Sequence, residues 1–324
     1  MHTWGQESYM ADEAAKHRRK PGSAGDPPFP FAGVVSQNAV KRALLLSVVN
    51  PRITSVLLTG ERDTGKRTAA RGLAALLPEM DVAEGCPAHC IPTARERCPA
   101  CKAAGNPQAR TRSRMPFVEI PISATAEKLV GGKGTPMKPG LLARANRGFV
   151  LMERANLFSE ELLETVLDAT EKRKIGAWPA AITLIASMND DEGELADELR
   201  KRFMLRASAH SLVDIEERLE IIRRVEAYKA APADFVGHHE KESAVLRGKL
   251  ASARKLIGRA DAPAKLVQAI ERISAKAGAG GNAAANLREA AIANAVFDGR
   301  SWATMDDVAE VIDFALQHQK PSNS

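Results

Sequence analysis

The sequence predicts an α/β domain, a parallel sheet flanked by helices, followed by an all-α helical bundle. Three observations carry this. A nearly complete phosphate-binding loop (P-loop), Gly60-Glu61-Arg62-Asp63-Thr64-Gly65-Lys66-Arg67-Thr68, sits between an apolar run and a helical stretch. Short apolar segments then alternate with helices, the pattern of strands buried on both faces. Beyond about Ala207 only helical periodicity remains.

Ordered structure is expected to begin near Phe29-Pro30-Phe31. Apolar residues at helical spacing predict a helix over 38–49, ended by Asn50-Pro51. Ser55 to Thr59 reads as the first strand, followed by the phosphate loop and a helix ending near Pro78. Residues 84–115, rich in Cys, Pro, Arg and Ala, read as loop. Pro116 to Ile120 reads as a second strand, leading to Gly/Lys-rich turns through Gly140. Gly148 to Met152 is a third, fully buried strand with a helix over 159–171 behind it; Ala181 to Ala186 is a fourth. Trp178-Pro179 reads as turn punctuation, and His238 and His239 as solvated. Helices are predicted over 215–228, 242–257, 262–277 and 286–297, with Gly278 to Asn282 as a flexible joint. The domain plan is an N-terminal extension over 1–28, an α/β domain over 29–207 with a cysteine-rich insertion at 84–104, a helical domain over 208–318 and a tail over 319–324.

Composition excludes some classes. A chain of 324 residues with 44% hydrophobic and 27% charged content is ordinary for a globular protein. No apolar run reaches the about 18 residues of a membrane span. The N-terminus lacks the apolar centre of a signal peptide, so cytoplasmic residence is expected. The formal net charge of +6 is concentrated locally, with six basic residues against Glu96 alone between Arg95 and Arg114. No aromatic residue lies in that stretch, so stacking platforms for nucleic acid are missing. It reads as a solvated basic loop or a docking surface for an acidic partner.

The phosphate loop is the centre of the functional reading. In G-x-x-x-x-G-K-[ST] the glycines let backbone N–H groups approach phosphate, the helix N-terminus adds positive potential, and the lysine reaches the β/γ oxygens. Gly60, Thr64, Gly65, Lys66, Arg67 and Thr68 are the candidate nucleotide-binding residues. The position after Lys66 calls for a hydroxyl that ligates Mg²⁺, and Arg67 stands there. Asp63 adds a carboxylate facing incoming phosphate charge, opposed by Arg62, Lys66 and Arg67.

Taken in order, the motifs resemble the AAA+ motor subunit of magnesium chelatase, the enzyme that inserts Mg²⁺ into protoporphyrin IX. Phe29-Pro30-Phe31 with Val34-Val35-Ser36-Gln37 is similar to that family's F-P-F…V-G-Q opening, which implies packing near the adenine. Ala43-Leu44-Leu45-Leu46…Asn50-Pro51 continues the match. Residues Pro139 to Gly148 resemble P-G-L-L-A-x-A-x-R-G closely. The resemblance implies that Asn189, in Ser187-Met188-Asn189, is the polar sensor at the end of the fourth strand. It also implies that Arg202, in Leu199-Arg200-Lys201-Arg202-Phe203, is an arginine reaching a neighbouring subunit's nucleotide, and that Arg288 is the second sensor arginine. It covers about residues 29–318. A homo- or hetero-oligomeric ring, chelatase partner subunits, and ATP or ADP as cofactor follow as expectations.

The departures cluster at the chemistry. Where the family's third strand ends in Asp-Glu, the first organising Mg²⁺ and the second polarising water, this chain has Glu153-Arg154. An arginine cannot accept a proton from water. The resemblance brings Arg67 and Glu153 together at the metal's position, so one expectation is an Arg67–Glu153 ion pair there. The alternative is Arg67 turned to solvent, with Glu153 a remnant. Two segments, 128–135 and 168–181, are shorter than the family's hairpins.

The four cysteines, Cys86-x₃-Cys90-x₇-Cys98-x₂-Cys101, fall within sixteen residues. Their spacing suits a structural tetrahedral Zn²⁺, with His89 as a candidate substitute ligand; four independent reduced thiols are the alternative. Three functional readings stay open: a ring subunit with a degenerate ATPase centre, a working motor using Glu153 for Mg²⁺, and a zinc-bearing interaction module without nucleotide function.

Overall fold

The fold described here is that of a computed structural model, which describes residues 26–93, 97–105, 109–132, 138–279 and 282–316. Most of the N-terminal extension, Arg95, Glu96, Lys133 to Thr135, Gly280, Gly281 and the tail lie outside the described residues. The central sheet is parallel and five-stranded, in the order β4-β5-β8-β1-β9. Its strands are β1 (Ser55–Gly60), β4 (Phe117–Ile120), β5 (Phe149–Met152), β8 (Thr183–Ser187) and β9 (Leu205–Ala209). Two antiparallel pairs stand outside it: β2 (Glu79–Ala83) with β3 (Arg110–Arg114), and β6 (Lys174–Ile175) with β7 (Trp178–Pro179).

The central strand shows why the sheet needs helices on both sides. Val56 and Leu58 of β1 join one apolar cluster, and Leu57 between them joins the other. All three are fully buried, so alternation along the strand serves two cores instead of one core and solvent. One cluster contains α1 (Asn38–Val49), α2 (Lys66–Leu73) and much of the C-terminal helical region; the other holds α6 (Glu160–Lys172). Between α2 and α6 the described residues include the short helices α3 (Pro99–Ala103), α4 (Ala126–Val130) and α5 (Leu141–Arg144). Ser159 caps α6, accepting from the Leu162 amide, while Glu160 and Glu161 in the first turn and Lys172 in the last suit the helix dipole.

After α7 (Asp197–Lys201) and β9 the chain is helical: α8 (Ile215–Ala230), α9 (Pro232–His238), α10 (Glu240–Leu256), α11 (Ala264–Lys276), α12 (Ala283–Phe297) and α13 (Met305–Leu316). Helix α12 is buried along most of its length, wedged against α1, α11 and α13.

Several sequence expectations change. Residues 84–115 are not simply loop, because their C-terminal part pairs as β3 with β2, in register Asp81↔Arg112. The chain does not turn wholly helical at Ala207, since β9 extends to Ala209 as the edge strand beside β1. Trp178 does more than mark a turn: it is 2% exposed and packs with the cysteine loop. His239 is half-buried, its ring 4.5 Å from that of Phe235, whereas His238 is exposed.

One glycine is dictated by close approach. Gly60 has φ of 122°, and a Cβ there would lie 2.0 Å from the Ala209 carbonyl oxygen. The sheet can therefore place the phosphate loop directly against β9 only with glycine at that position.

Candidate nucleotide site

The loop between β1 and α2 presents its lysine inward. Lys66 is 5% exposed, and its Nζ donates to the carbonyls of Gly60 (2.8 Å) and Glu61 (2.5 Å) and to Thr64 Oγ1 (3.2 Å). Burial lowers the Lys66 pKa, and the carboxylates of Asp190, Asp191, Asp63 and Glu192 act in the opposite sense. Gly65 takes positive φ before α2, as does Asp63 at 59°. A non-glycine residue in that conformation is uncommon, so the loop keeps its shape despite Asp63.

A cleft of about 740 Å³ opens beside the loop. Thr64, Gly65 and Thr68 line it, as do Arg218, Arg224 and Tyr228 of α8. Phe29, Val34, Val35 and Gln37 line the same space, so the opening motif and the phosphate loop share one cavity. Phe29 sits 5.2 Å from the Tyr228 ring and 5.0 Å from Phe235, ring centroid to centroid. The cleft thus brings the rings of Phe29 and Tyr228, several arginines and the glycine-bearing loop to one space, a set suited to a nucleoside phosphate, although Asp63 also lines it and Lys66 does not.

Beside this cleft the residues do not suit a magnesium ion. Arg67 Nε lies 2.9 Å from Glu153 Oε1, and Arg71 Nε lies 3.1 Å from the same oxygen. Arg71 also reaches Glu119 at 2.6 Å. Glu153 therefore turns an oxygen toward two guanidinium groups, and no hydroxyl follows Lys66 to complete a hard-oxygen set. Arg67 pairs with Glu153, the first of the two expectations, while remaining 62% exposed, so the pair sits at the rim. Burial pushes the Glu153 carboxyl up, outweighing Arg71 and Arg67, which pull it down.

The sign of that shift gives a test. A folded-state pKa above the unfolded one means stability that is fully present below the unfolded value and lost as pH rises through the folded value. Glu153→Gln is thus expected to match or slightly exceed the parent in stability at pH 7, within about 1 kcal/mol. The difference should close near pH 4, as urea-melt midpoints at the two pH values would show. A loss of several kcal/mol at pH 7 would contradict the dominance of burial.

Arg154, also with positive φ (57°), is drawn into a second cluster. Its Nε and a terminal N–H donate to both oxygens of Glu192, at 2.9 and 2.8 Å. Arg62 of the phosphate loop reaches Glu192 at 2.7 Å, and Asn189 Nδ2 donates to it at 2.9 Å. Glu192, with its side chain 8% exposed, thereby links the phosphate loop, the end of β5 and the sensor position. Its pKa is lowered, first by the Arg154 bond.

The remaining candidates lie elsewhere. Arg202 donates to Glu171 (2.9 Å) and Asp168 (2.7 Å) of α6 within its own chain. Arg288 does not line the cleft. It pairs with Glu289, which is hydrogen-bonded to Asn50 beyond the C-terminal end of α1. Gln37, at the cleft, precedes that helix of 12 residues, so about 18 Å of helix separates them. The four cysteines converge: all their sulfurs lie within 4.8 Å of one another. His89 is not part of that cluster; its Nδ1 is buried and has no hydrogen-bond partner among the described residues.

Sequence reasoning passed over Glu192, Arg71, Glu119 and the two α8 arginines. For Glu192 a signal existed, since the acidic run Asp190-Asp191-Glu192 directly follows the sensor strand.

Comparison with known proteins gives the family. Residues 30–212 match the family described as magnesium chelatase, subunit ChlI, and residues 267–322 match the AAA lid domain. The chain is 33% identical over 312 residues to the magnesium-chelatase subunit ChlI homolog of Methanocaldococcus jannaschii, covering 90% of this chain and 85% of that protein. It is 34% identical over 313 residues to the 38 kDa magnesium-chelatase subunit of Acidiphilium rubrum, covering 90% of each. Among solved structures, a chain of the BchI–BchD magnesium chelatase complex aligns with a TM-score of 0.52 and 30% identity, covering 90% of this chain and 96% of that one. A protein from Cytophaga hutchinsonii shares the fold, with a TM-score of 0.59 at 19% identity over 97% and 91% of the two chains. The chain belongs to the magnesium chelatase subunit ChlI family and has its AAA+ architecture.

Proposed function

We propose that this chain is a ring-forming AAA+ subunit of a chelatase-type complex that binds ATP or ADP without Mg²⁺ and hydrolyses ATP poorly or not at all. Its part is structural or regulatory, beside an active paralogue. The observation that carries this is the Arg67–Glu153 pair at 2.9 Å, which puts a guanidinium where the family pattern places a metal ion. The fixing of Arg154 on Glu192 supports it, since no carboxylate then follows Glu153 to activate water. Lys66, Gly65, Thr64 and Thr68 would hold the phosphates, with Phe29 and Tyr228 beside the base.

Arg202, absent from the cleft of its own chain, is the residue through which one copy would approach a neighbour's nucleotide; the second sensor role of Arg288 has no support in the cleft, which it does not line. Partners are other AAA+ subunits and chelatase components; a role in porphyrin metallation, bacteriochlorophyll synthesis included, belongs to the same reading.

Purified chain assayed for phosphate release alone and mixed with an active chelatase motor tests it. The expected result is background release alone and co-elution with the motor in a larger assembly. Magnesium-dependent turnover by this chain alone would overturn the degenerate reading and favour a working motor. Absence of both nucleotide binding and co-assembly would favour an interaction module.

A further inference from the structure

The four cysteines are unused by the nucleotide reading, and the geometry around them is that of a closed metal site. Cys90, Cys98 and Cys101 are buried and Cys86 is partly so; none is in a disulfide. Cys86 Sγ and Cys98 Sγ are 3.6 Å apart, beyond the about 2.05 Å of an S–S bond. A tetrahedral zinc with Zn–S near 2.3 Å requires sulfur–sulfur separations of about 3.8 Å. Spacing of that order is what the cluster shows, and four thiols held so close need a cation before all can ionise.

The backbone is arranged for thiolates. The Cys90 amide donates to Cys86 Sγ and the Cys101 amide to Cys98 Sγ, each at 3.4 Å. The second half of each pair thus stabilises sulfur charge on the first. Around the sulfurs the apolar support is small: Ala83, Ala88, Ala143 and Trp178, with Ala100 and Ile175 partly buried against them. That is little to order a loop in which, among the described residues, the short helix α3 is the only element between β2 and β3.

The loop is also clamped to the sheet. Asn146 Nδ2 donates to the Ala88 carbonyl at 2.7 Å, and Arg147 donates to the carbonyls of Asp81 (2.8 Å) and His89 (3.2 Å). Both residues lie just ahead of β5, the strand that leads to Glu153. The Asn-Arg pair of the Pro139–Gly148 motif therefore has a second partner, the cysteine module.

We infer that Cys86, Cys90, Cys98 and Cys101 form a closed four-thiolate structural site for one Zn²⁺, which fixes the β2–β3 ribbon against the start of β5. All-sulfur tetrahedral ligation selects zinc or a single iron, and zinc fits a site without redox work. Its four ligands leave no open position for substrate. His89 is outside the ligand set. Binding displaces the thiol protons to solvent.

The test uses the full chain. Elemental analysis of protein purified without added metal should find about one zinc per chain. Cobalt exchanged into the site should show the thiolate charge-transfer and d–d bands of tetrahedral sulfur ligation. Chelation should raise proteolysis within 84–104 by about tenfold or more, and Cys90→Ser with Cys98→Ser should abolish stoichiometric zinc, while His89→Ala keeps it. Should the double variant prove unfolded, cobalt spectra of the parent alone decide. Protein that stays metal-free after exposure to zinc, or cobalt bands lacking the sulfur signature, would overturn the assignment.

Discussion

Asp307→Ala is expected to lower stability by about 3 kcal/mol, because it removes the most heavily bonded buried carboxylate of the helical region. The Asp307 side chain is fully buried. Arg300 donates to both its oxygens at 2.7 Å, Thr304 donates through its amide (2.8 Å) and hydroxyl (3.0 Å), and Asn294 donates at 2.9 Å. Asn294 in turn accepts from Arg42 of α1 at 2.8 Å, so the network ties α12 and α13 to the α/β core. Removing the carboxylate leaves Asn294, which is 0% exposed, partly unpaired. Arg300 is 44% exposed and can recover water, which keeps the loss at the lower end for a broken buried pair.

The pH dependence has a definite sign. Burial acts to raise the Asp307 pKa, but the bonds from Arg300, Asn294 and Thr304 prevail and hold it at about 2. A depressed carboxylate contributes stability that is present above its unfolded value and lost as pH falls through the folded one. The window here runs from near 4 down to about 2. The gap between parent and Asp307→Ala should therefore be about 1 kcal/mol smaller at pH 3 than at pH 7, measured by urea unfolding. A constant gap would mean that packing, not charge, accounts for the loss.

Restoring the ordinary groups at the two substituted positions should have the second large effect. Arg67→Ser with Arg154→Glu returns a hydroxyl after Lys66 and a carboxylate after Glu153. Glu153 would keep one cation, Arg71 at 3.1 Å, and Glu192 would keep Arg62 and Asn189. Mg²⁺ should then tighten ATP binding by about tenfold or more, equivalent to about 1.4 kcal/mol. Phosphate release should rise above the parent's background. Arg154→Glu alone should not create the magnesium effect, because Arg67 still holds Glu153. Calorimetric titrations of the single and double variants would separate these outcomes.

The central sheet was legible because its inner strands centre on uninterrupted apolar runs, such as Val56 to Leu58 and Phe149 to Met152. Strand β9 was not. It alternates Leu205, Arg206, Ala207, Ser208 and Ala209, and small residues at the buried positions give little hydrophobic contrast. The β2–β3 ribbon was hidden for a different reason. Its strands carry charged residues that pair across the ladder, Arg110 with Asp81 and Arg112 with Glu79 at 3.3 Å, so they read as loop.

At the site, the substituted residues Arg67, Glu153 and Arg154 were visible from motif positions alone. The Arg67–Glu153 pair was among the expectations, but the further partners Arg71 and Glu192 were not, because those contacts depend on tertiary placement. Sequence distance explains this: Arg62 and Glu192 are 130 residues apart. Arg288 shows the converse, a residue whose motif implied a nucleotide contact and whose side chain lies at the other end of α1.

ATP binding by the unaltered chain, titrated once in excess chelator and once in excess Mg²⁺, tests the central claim most directly. With Arg67 paired to Glu153, the two dissociation constants should agree within about twofold, a difference of about 0.4 kcal/mol. Binding that tightens tenfold or more with Mg²⁺ would show that the ion still finds its place, and the account would be wrong.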